Sequence, residues 1–237
     1  MPVKCYSIEG NIGSGKSTFL QFLKLNTDNN KFIFVQEPVD EWDTIKDKDG
    51  TILEHFYKNK KEYSFSFQMM AYISRLAQIK KIIEDNNEKN DIIILMERCV
   101  YTDRNVFAKM LYDTNEINEI NYQIYNKWFD YFMEDIKIDG IIYIKTDPEI
   151  AYSRVIKRGR KGEKIPLDYL TTCSNYHNNW ILNNESNMNY LVLDGNNENN
   201  ENKLYFTWLD DINNFFIKNK ITNINYDYNT LKWLTGC

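Results

Sequence analysis

The chain has few of the side chains that zinc sites and hydrolytic triads require. Its 237 residues include two histidines, His55 and His177, and four cysteines, none of which form a C-x-x-C pair. Structural zinc sites need clustered ligands and a Ser-His-Asp triad needs a paired histidine, so the sequence disfavours both. Cys5 and Cys99 lie in or beside predicted strands, and we expect them to be packed thiols in a reducing compartment.

Long apolar and long basic stretches are also missing. No apolar run approaches the roughly 18 residues of a membrane-spanning helix, and the N-terminus lacks a signal-peptide layout. The net charge is −5, from 29 Lys and Arg against 34 Asp and Glu. Nucleic acid is therefore a poor candidate for the main partner. We expect an intracellular, cytoplasmic protein without a membrane or nucleic-acid partner.

The strongest motif lies at residues 10–17, which read GNIGSGKS and match the phosphate-loop pattern G-x-x-x-x-G-K-[ST]. A short predicted strand at 3–8 precedes it and an amphipathic helix follows. In such a loop, backbone N–H groups and the helix N-terminus surround a phosphate, the lysine reaches the β- and γ-phosphates, and the hydroxyl ligates Mg²⁺. The sequence therefore predicts that a nucleoside triphosphate is bound by Gly10, Asn11, Ile12, Gly13, Ser14, Gly15, Lys16, Ser17 and Thr18, with Ser17 at the metal.

Short apolar runs alternate with helical patterns along the rest of the chain. Strands are predicted at 31–36, 91–96, 140–145 and 190–194, and helices at 53–83 (broken near 58–61), 107–112, 117–133, 149–160, 167–183 and 203–217. This alternation predicts an α/β fold of the phosphate-loop NTPase type, a parallel sheet of about five strands flanked by helices. We expect one domain over residues 1–217 and a tail, 218–237, whose role the sequence does not indicate.

Three polar residues follow predicted strands, at the sheet edge where ligands of such folds bind. Glu37 could accept a proton from an attacking hydroxyl, although an N-cap or an ion pair with a lysine would also explain it. Glu97 stands where phosphate-loop enzymes hold Mg²⁺, and Arg98 could orient Glu37 or stabilise transferring charge. An ordinary exposed Glu97–Arg98 pair is the alternative.

A further group of polar and aromatic residues could contact a nucleobase. Phe67, Gln68, Arg75 and Asp103 could read a nucleobase, and Arg75 lies about two helical turns beyond Phe67. From the residues alone, a core phenylalanine with polar surface neighbours is the better interpretation.

The segment 154–164 contains six Lys or Arg and a single acidic residue, Glu163. This pattern is typical of solvated helix faces and also of lids that close over phosphates.

Five segments, in order, resemble the deoxynucleoside kinase family, which contains deoxycytidine, deoxyguanosine and mitochondrial-type thymidine kinases. They are IEGNIGSGKST at 8–18, EPVDEW at 37–42, SFSFQ at 64–68, ERCVYTDRNVFA at 97–108 and RVIKRGRKGEKIPLDYL at 154–170. The resemblance implies transfer of the γ-phosphoryl group of ATP, or of another nucleoside triphosphate, to the 5′-hydroxyl of a deoxynucleoside, with Mg²⁺ present. It also implies a homodimer formed through the helices at 63–83 and 117–133.

The resemblance also implies roles for individual residues. Glu37 would be the general base, supported by Arg98, with Lys16 on the phosphates and Glu97 at the Mg²⁺ site. Arg154, Arg158 and Arg160 would form a lid over ATP. Tyr57 and Glu163 would hold the sugar 3′-hydroxyl, and Phe67 and Phe107 would enclose the base between their rings. Gln68 would hydrogen-bond the base, and Trp42 and Phe56 would line the pocket. At the specificity positions Ala71, Arg75 and Asp103, the arginine and the aspartate look like those of the deoxycytidine and deoxypurine kinases, so thymidine should be disfavoured.

Other functions fit the residues less well. A nucleoside monophosphate kinase would need extra basic residues in its acceptor cleft, where Glu37 would repel a substrate phosphate. A non-catalytic nucleotide-binding scaffold should have lost Lys16, Glu37 or Arg98, and all three are present. A GTPase switch should carry a separate N-K-x-D motif, which the chain lacks.

Overall fold

A five-stranded parallel sheet forms the centre of the computed structural model. The structure describes residues 3–27, 31–89, 91–133, 136–160, 162–183, 187–196 and 201–221, with only the backbone of 201–203. The strands are β1 (Lys4–Glu9), β2 (Phe32–Val35), β3 (Ile93–Glu97), β4 (Gly140–Lys145) and β5 (Tyr190–Asp194). Their order is β2-β3-β1-β4-β5, and every neighbouring pair is parallel. The predicted fold class is confirmed.

Helices connect successive strands and cover both faces of the sheet. They are α1 (Lys16–Asn26), α2 (Val39–Trp42), α3 (Ile52–Lys58), α4 (Lys60–Asp85), α5 (Val100–Thr102), a π-helical turn (Asp103–Ala108), α6 (Lys109–Asp113), α7 (Glu119–Met133), α8 (Pro148–Arg158), α9 (Leu167–Ile181) and α10 (Glu201–Lys218). None of the helices in these described ranges is both long and apolar enough to cross a membrane.

The alternation of side chains along β3 divides the core into two layers. Ile94 and Met96 pack on one face, in a cluster with residues of α4, α7 and α9. Ile93 and Leu95 pack on the other face, with residues of α1 and α10. Because both faces are covered, β3 is a nearly continuous apolar run that is buried throughout. The sheet order places the carboxyl ends of β1, β3 and β2 side by side, which positions the site.

Two predicted helices differ from those observed. The helix predicted at 107–112 begins earlier, at Val100, and passes through the π-helical turn Asp103–Ala108. A π turn has a wider period than 3.6 residues, so the apolar spacing conceals it. The helix predicted at 149–160 ends at Arg158, because Gly159 adopts a left-handed conformation (φ +59°) that terminates it. Arg160 therefore lies beyond the helix.

Candidate active site

The phosphate loop joins β1 to α1 with a backbone that requires glycine. Gly13 and Gly15 have φ angles of +81° and +94°, and a Cβ added at Gly13 would lie 2.4 Å from the Ala151 carbonyl. Lys16 begins α1 and turns back, so that its Nζ donates to the carbonyls of Gly10 at 3.0 Å and Asn11 at 2.6 Å. Burial, together with the charge of Arg98, lowers the pKa of Lys16 to about 7.

The loop fits a phosphate on steric grounds. A Cβ added at Gly15, the N-cap of α1, would meet nothing within 4 Å, so the N-terminus of the helix is open. Backbone N–H groups at such an end attract an anion. Lys16 is buried and has loop carbonyls as partners, and a phosphate would supply the opposite charge that those carbonyls lack.

Ser17 and Glu97 meet beside this loop. The Ser17 hydroxyl donates to Glu97 Oε1 at 2.6 Å, across the gap between α1 and the tip of β3. The described residues contain no group of three or more His, Cys, Asp or Glu that could enclose a metal alone. Mg²⁺ in kinases usually keeps several waters and shares phosphate oxygens, so one hydroxyl and one carboxylate fit it.

Glu37 follows β2 and is held by two guanidinium groups. Arg98 Nη1 donates to its Oε1 at 2.9 Å and to its Oε2 at 3.1 Å, and Arg75 Nη2 donates to Oε1 at 3.0 Å. Burial alone would raise the pKa of Glu37, but the charges of Arg98 and Arg75 outweigh it and lower the pKa to about 2. Glu37 is therefore an ionised carboxylate at neutral pH, and its side-chain partners among the described residues are arginines, not a lysine or a helix N-terminus.

Arg75, on α4, connects Glu37 to Asp103. Its Nε donates to Asp103 Oδ2 at 2.9 Å, and its Nη1 donates to the Glu97 carbonyl at 3.0 Å. Arg75 and Asp103 are only 4% and 1% exposed, and Gln68 on the same helix is 2% exposed. The interpretation of these residues as polar surface neighbours of a core phenylalanine is therefore wrong.

Arg98 is aimed at Glu37 by an unusual backbone conformation. Its φ of +60° is left-handed, which is uncommon for a residue with a side chain. The turn is secured on both sides, because the Arg98 N–H donates to the Ile8 carbonyl at 3.1 Å and the Cys99 N–H donates to Glu9 Oε1 at 2.9 Å. Glu97 and Arg98 are 6% and 5% exposed, so they are not an exposed ion pair.

An aromatic cluster lies next to these charges. The rings of Phe56 and Phe67 stack with centroids 4.7 Å apart, and Trp42 meets Phe67 edge-on at 5.5 Å. The same cluster contains Ala71, Tyr57 and Phe107, and the Arg98 guanidinium lies 5.2 Å from the Phe107 ring centroid. The buried Gln68 Oε1 has no hydrogen-bond partner among the described residues. A buried, unpaired amide oxygen beside stacked rings is suited to a planar polar ligand.

The predicted lid residues lie at the end of α8 and beyond it. Arg154 is within the helix, Arg158 is its last residue and Arg160 follows in an exposed segment. Arg158 Nη2 donates to Glu163 Oε2 at 2.5 Å. Burial and the charge of Glu163 raise the pKa of Tyr57, which places this tyrosine close to Glu163. Lys161 lies outside the described residues, and a lid over ATP stays a prediction.

Comparison with known proteins decides the family. The sequence profile of the deoxynucleoside kinases matches residues 6–217. The chain belongs to the deoxynucleoside kinase family. A probable deoxycytidine kinase of fowlpox virus is 38% identical over 196 residues, which cover 81% of this chain and 77% of that protein. Deoxycytidine kinase 1 of Xenopus laevis is 37% identical over 198 residues (76% and 74%), and the mitochondrial deoxyguanosine kinase of the same frog is 33% identical over 198 residues (76% and 74%).

Membership confirms the resemblance stated from the five sequence segments, and it confirms a kinase. A deoxynucleoside kinase has a nucleotide as phosphoryl donor and a deoxynucleoside as acceptor. The sheet edge suits that reaction, because it brings the phosphate loop, Glu97, Arg98 and Glu37 together although 88 residues separate Gly10 from Arg98.

Sequence reasoning missed two residues of this kinase's site. Glu9 is fully buried and also accepts from the Ser7 hydroxyl, so it secures the turn that carries Arg98. Its position next to Gly10 was the available signal, since a carboxylate in a buried strand needs a specific partner. Ser74 accepts from Trp42 Nε1 at 2.8 Å and fixes that ring, a contact that no sequence pattern indicates.

Proposed function

We propose that this kinase transfers the γ-phosphoryl group of ATP to the 5′-hydroxyl of a deoxynucleoside, with Glu37 as the general base. The observation that carries the proposal is the ionised Glu37 carboxylate, fixed by Arg98 beside the phosphate loop. A carboxylate with so low a pKa is a weak base. In phosphoryl transfer the transition state is loose and positioning dominates, so a correctly placed carboxylate suffices to accept the late-departing proton.

On the donor side, Lys16 and the loop N–H groups would hold the β- and γ-phosphates. Ser17 and Glu97 would hold Mg²⁺, which neutralises phosphate charge when it is bound. Lys16 already lies 2.6 Å from the Asn11 carbonyl, so a small movement would transfer its ammonium from loop carbonyls to phosphate oxygens. The cations of the lid, Arg154, Arg158 and Arg160, would then approach the same phosphates.

On the acceptor side, we propose deoxycytidine or a deoxypurine in preference to thymidine. Phe67 and Phe107 would enclose the base, Trp42, Phe56 and Ala71 would line the pocket, Gln68 would hydrogen-bond the base, and Tyr57 with Glu163 would hold the sugar 3′-hydroxyl. The buried Arg75–Asp103 pair offers a donor and an acceptor to an exocyclic amino group or a purine ring nitrogen, whereas thymidine has a methyl and a carbonyl at that edge. The names of the deoxycytidine and deoxyguanosine kinases among the relatives support this preference.

We further propose that the kinase is a homodimer in the cytoplasm. Ile120, Ile124, Trp128 and Tyr131 form a stripe along α7 and are 70%, 40%, 46% and 70% exposed, while Tyr125 and Phe129 of the same helix are buried. A stripe of large apolar side chains on one helix face is typical of a contact surface. The described cysteines are free thiols, which suits a reducing compartment.

The test is a panel of the four natural deoxynucleosides with Mg²⁺-ATP and purified protein. We expect deoxycytidine or a deoxypurine to be phosphorylated with a higher kcat/KM than thymidine. Preference for thymidine would contradict the proposed recognition of the base by Arg75 and Asp103 but not the kinase reaction. If the protein phosphorylates none of the nucleosides but does phosphorylate a deoxynucleoside monophosphate, the proposal is wrong and the protein is a monophosphate kinase.

A further inference from the structure

Arg75 contacts both the predicted base-reading residue and the predicted general base. Its guanidinium lies between Asp103 and Glu37, with N–O distances of 2.9 Å to Asp103 Oδ2 and 3.0 Å to Glu37 Oε1. Binding of a base beside Arg75 can therefore change the hydrogen bonds of Glu37, the carboxylate that is predicted to receive the proton. The sequence assigned Arg75 to specificity alone.

The donors of Arg75 are nearly all in use. Of the five N–H groups of a guanidinium, four are directed at protein acceptors: Asp103 Oδ2, the Glu97 carbonyl, Glu37 Oε1, and Asp103 Oδ1 at 3.4 Å. Both oxygens of Asp103 are also engaged by Arg75. One N–H of Arg75 Nη1 and a second lone pair on each Asp103 oxygen are not used by these contacts. A base that accepts from Arg75 Nη2, however, must displace an existing contact, because both N–H groups of Nη2 are directed at carboxylates.

Of the two carboxylates that pair with Arg75, Glu37 is the easier one to release. The Asp103 side chain is 2% exposed and Arg75 is its charged partner, so breaking that pair would strand a buried charge. The Glu37 side chain is 17% exposed and retains Arg98 through two hydrogen bonds. The exchange of partners should thus occur at Arg75 Nη2.

The loss of this contact would change what Glu37 Oε1 can accept. At present Oε1 receives two N–H donors, from Arg75 at 3.0 Å and Arg98 at 2.9 Å, which occupy both of its lone pairs. Removing Arg75 frees one lone pair and takes a positive charge away from the carboxylate, which makes it more basic.

We propose that the nucleobase competes with Glu37 for Arg75, so that binding of the correct base releases Glu37 Oε1 to accept the proton of the 5′-hydroxyl. The inference rests on the proposed function and deepens it. In the reaction, the 5′-oxygen forms a bond to the γ-phosphorus as the bond to the β-phosphate oxygen breaks, and the hydroxyl proton passes to Glu37. The polar edge of the base therefore contributes to catalysis as well as to binding.

This coupling predicts a separation of kcat from KM. If a residue only binds the base, loss of its contact weakens the affinity for the nucleoside, so KM rises and kcat stays constant. If the base withdraws Arg75 from Glu37, removal of the polar edge of the base should lower kcat. Arg75 then stays on Glu37, Oε1 has no free lone pair, and the positive charge keeps the carboxylate less basic. The loss of one charge-assisted hydrogen bond corresponds to about 10- to 100-fold in kcat.

The experiment compares two acceptors in three proteins. The acceptors are the best nucleoside of the panel and the same 2′-deoxyribose with an apolar fluorinated ring of equal size, which has no hydrogen-bonding edge. The proteins are wild type, Arg75→Met and Gln68→Leu. Gln68 is the matched control because it is a predicted base reader on the same helix, with no contact to Glu37 among the described hydrogen bonds.

In wild type we expect kcat to fall about 10- to 100-fold when the polar edge is removed. In Arg75→Met the two acceptors should have nearly the same kcat, whereas in Gln68→Leu the kcat ratio should persist and KM should rise. Equal kcat for both acceptors in wild type would overturn the coupling, and this holds even if Arg75→Met fails to fold. A kcat ratio that disappears equally in Gln68→Leu would overturn it too, because mispositioning would then explain the effect. No turnover of either acceptor by wild type would instead refute the proposed function itself.

Discussion

Two groups of charged residues in this kinase differ sharply in burial. At the sheet edge, the side chains of Glu37, Arg75, Arg98 and Asp103 are at most 17% exposed and are paired with one another. At the end of α8, the Arg158 side chain is 38% exposed and pairs with the buried Glu163 side chain, and Arg160, beyond the helix, is exposed. A buried charge is tolerated only with a partner, whereas an exposed charge is solvated without one. The fold therefore fixes the sheet edge before any ligand arrives, whereas the exposed Arg160 can take its partner from the ligand.

The largest effect should follow from breaking a buried pair. Asp103→Ala would leave Arg75 buried with one fewer carboxylate, and we expect it to lower the free energy of unfolding by about 3–5 kcal/mol. Urea unfolding without ligands measures this loss.

Asp130→Ala is the matched control, since Asp130 also pairs with an arginine, Arg104, at 2.8 Å, but the two side chains are 65% and 31% exposed. We expect a loss below about 1 kcal/mol there. Equal losses of unfolding free energy in the two variants would contradict the claim that burial determines how much an ion pair contributes to stability.

A second effect concerns His177, which the fold buries in neutral form. Burial, followed by the charge of Arg98, lowers the pKa of His177 from 6.5 to about 3. The unfolded chain therefore takes up this proton first as the pH falls, so stability is complete above about pH 6.5 and declines toward pH 3. Glu37, whose pKa is lowered from 4.5 to about 2, loses its own contribution only below about pH 4.5.

Between pH 7 and pH 5, wild type should lose about 2 kcal/mol more stability than His177→Phe. Urea unfolding at the two pH values provides the measurement. An unchanged slope in His177→Phe would contradict the buried neutral state.

The smallest effect on stability is expected for the exposed Arg160. Arg160→Ala should change the free energy of unfolding by less than about 1 kcal/mol, because Arg160 is exposed beyond the end of α8. If Arg160 binds phosphate, KM for Mg²⁺-ATP should rise about tenfold, and less at high salt, because exposed charges are screened.

Lys109→Ala serves as its control, since Lys109 forms an exposed pair with Asp113 on α6. It should share the small stability change and leave KM for ATP unaltered. A KM for ATP that is equally insensitive to Arg160→Ala would refute the lid.

The sheet was predictable because its strands are distinct apolar runs. The predicted bounds 140–145 and 190–194 coincide with β4 and β5, and the sheet order then places Glu37, Glu97 and Arg98 together. The contact of Arg75 with Glu37 was not predictable, since helical periodicity shows which face of α4 is buried but not which charge that face meets. The left-handed turn at Arg98 was hidden for a similar reason, because it depends on Glu9 from another strand.

Some predictions remain untested. The roles of the individual site residues and the boundary between a domain at 1–217 and a tail at 218–237 stay predictions. Residues 222–237 of that tail, with Cys237, lie outside the described residues.

The central claim is that Glu37 accepts the proton of the attacking hydroxyl. The direct measurement is kcat for the best deoxynucleoside in Glu37→Gln, beside the dissociation constant of that nucleoside and beside Glu41→Gln, an exposed carboxylate on α2. We predict that kcat falls about 10²- to 10⁴-fold in Glu37→Gln while binding persists, and that Glu41→Gln matches wild type. A Glu37→Gln enzyme whose kcat stays within about threefold of wild type would contradict the assignment of the base.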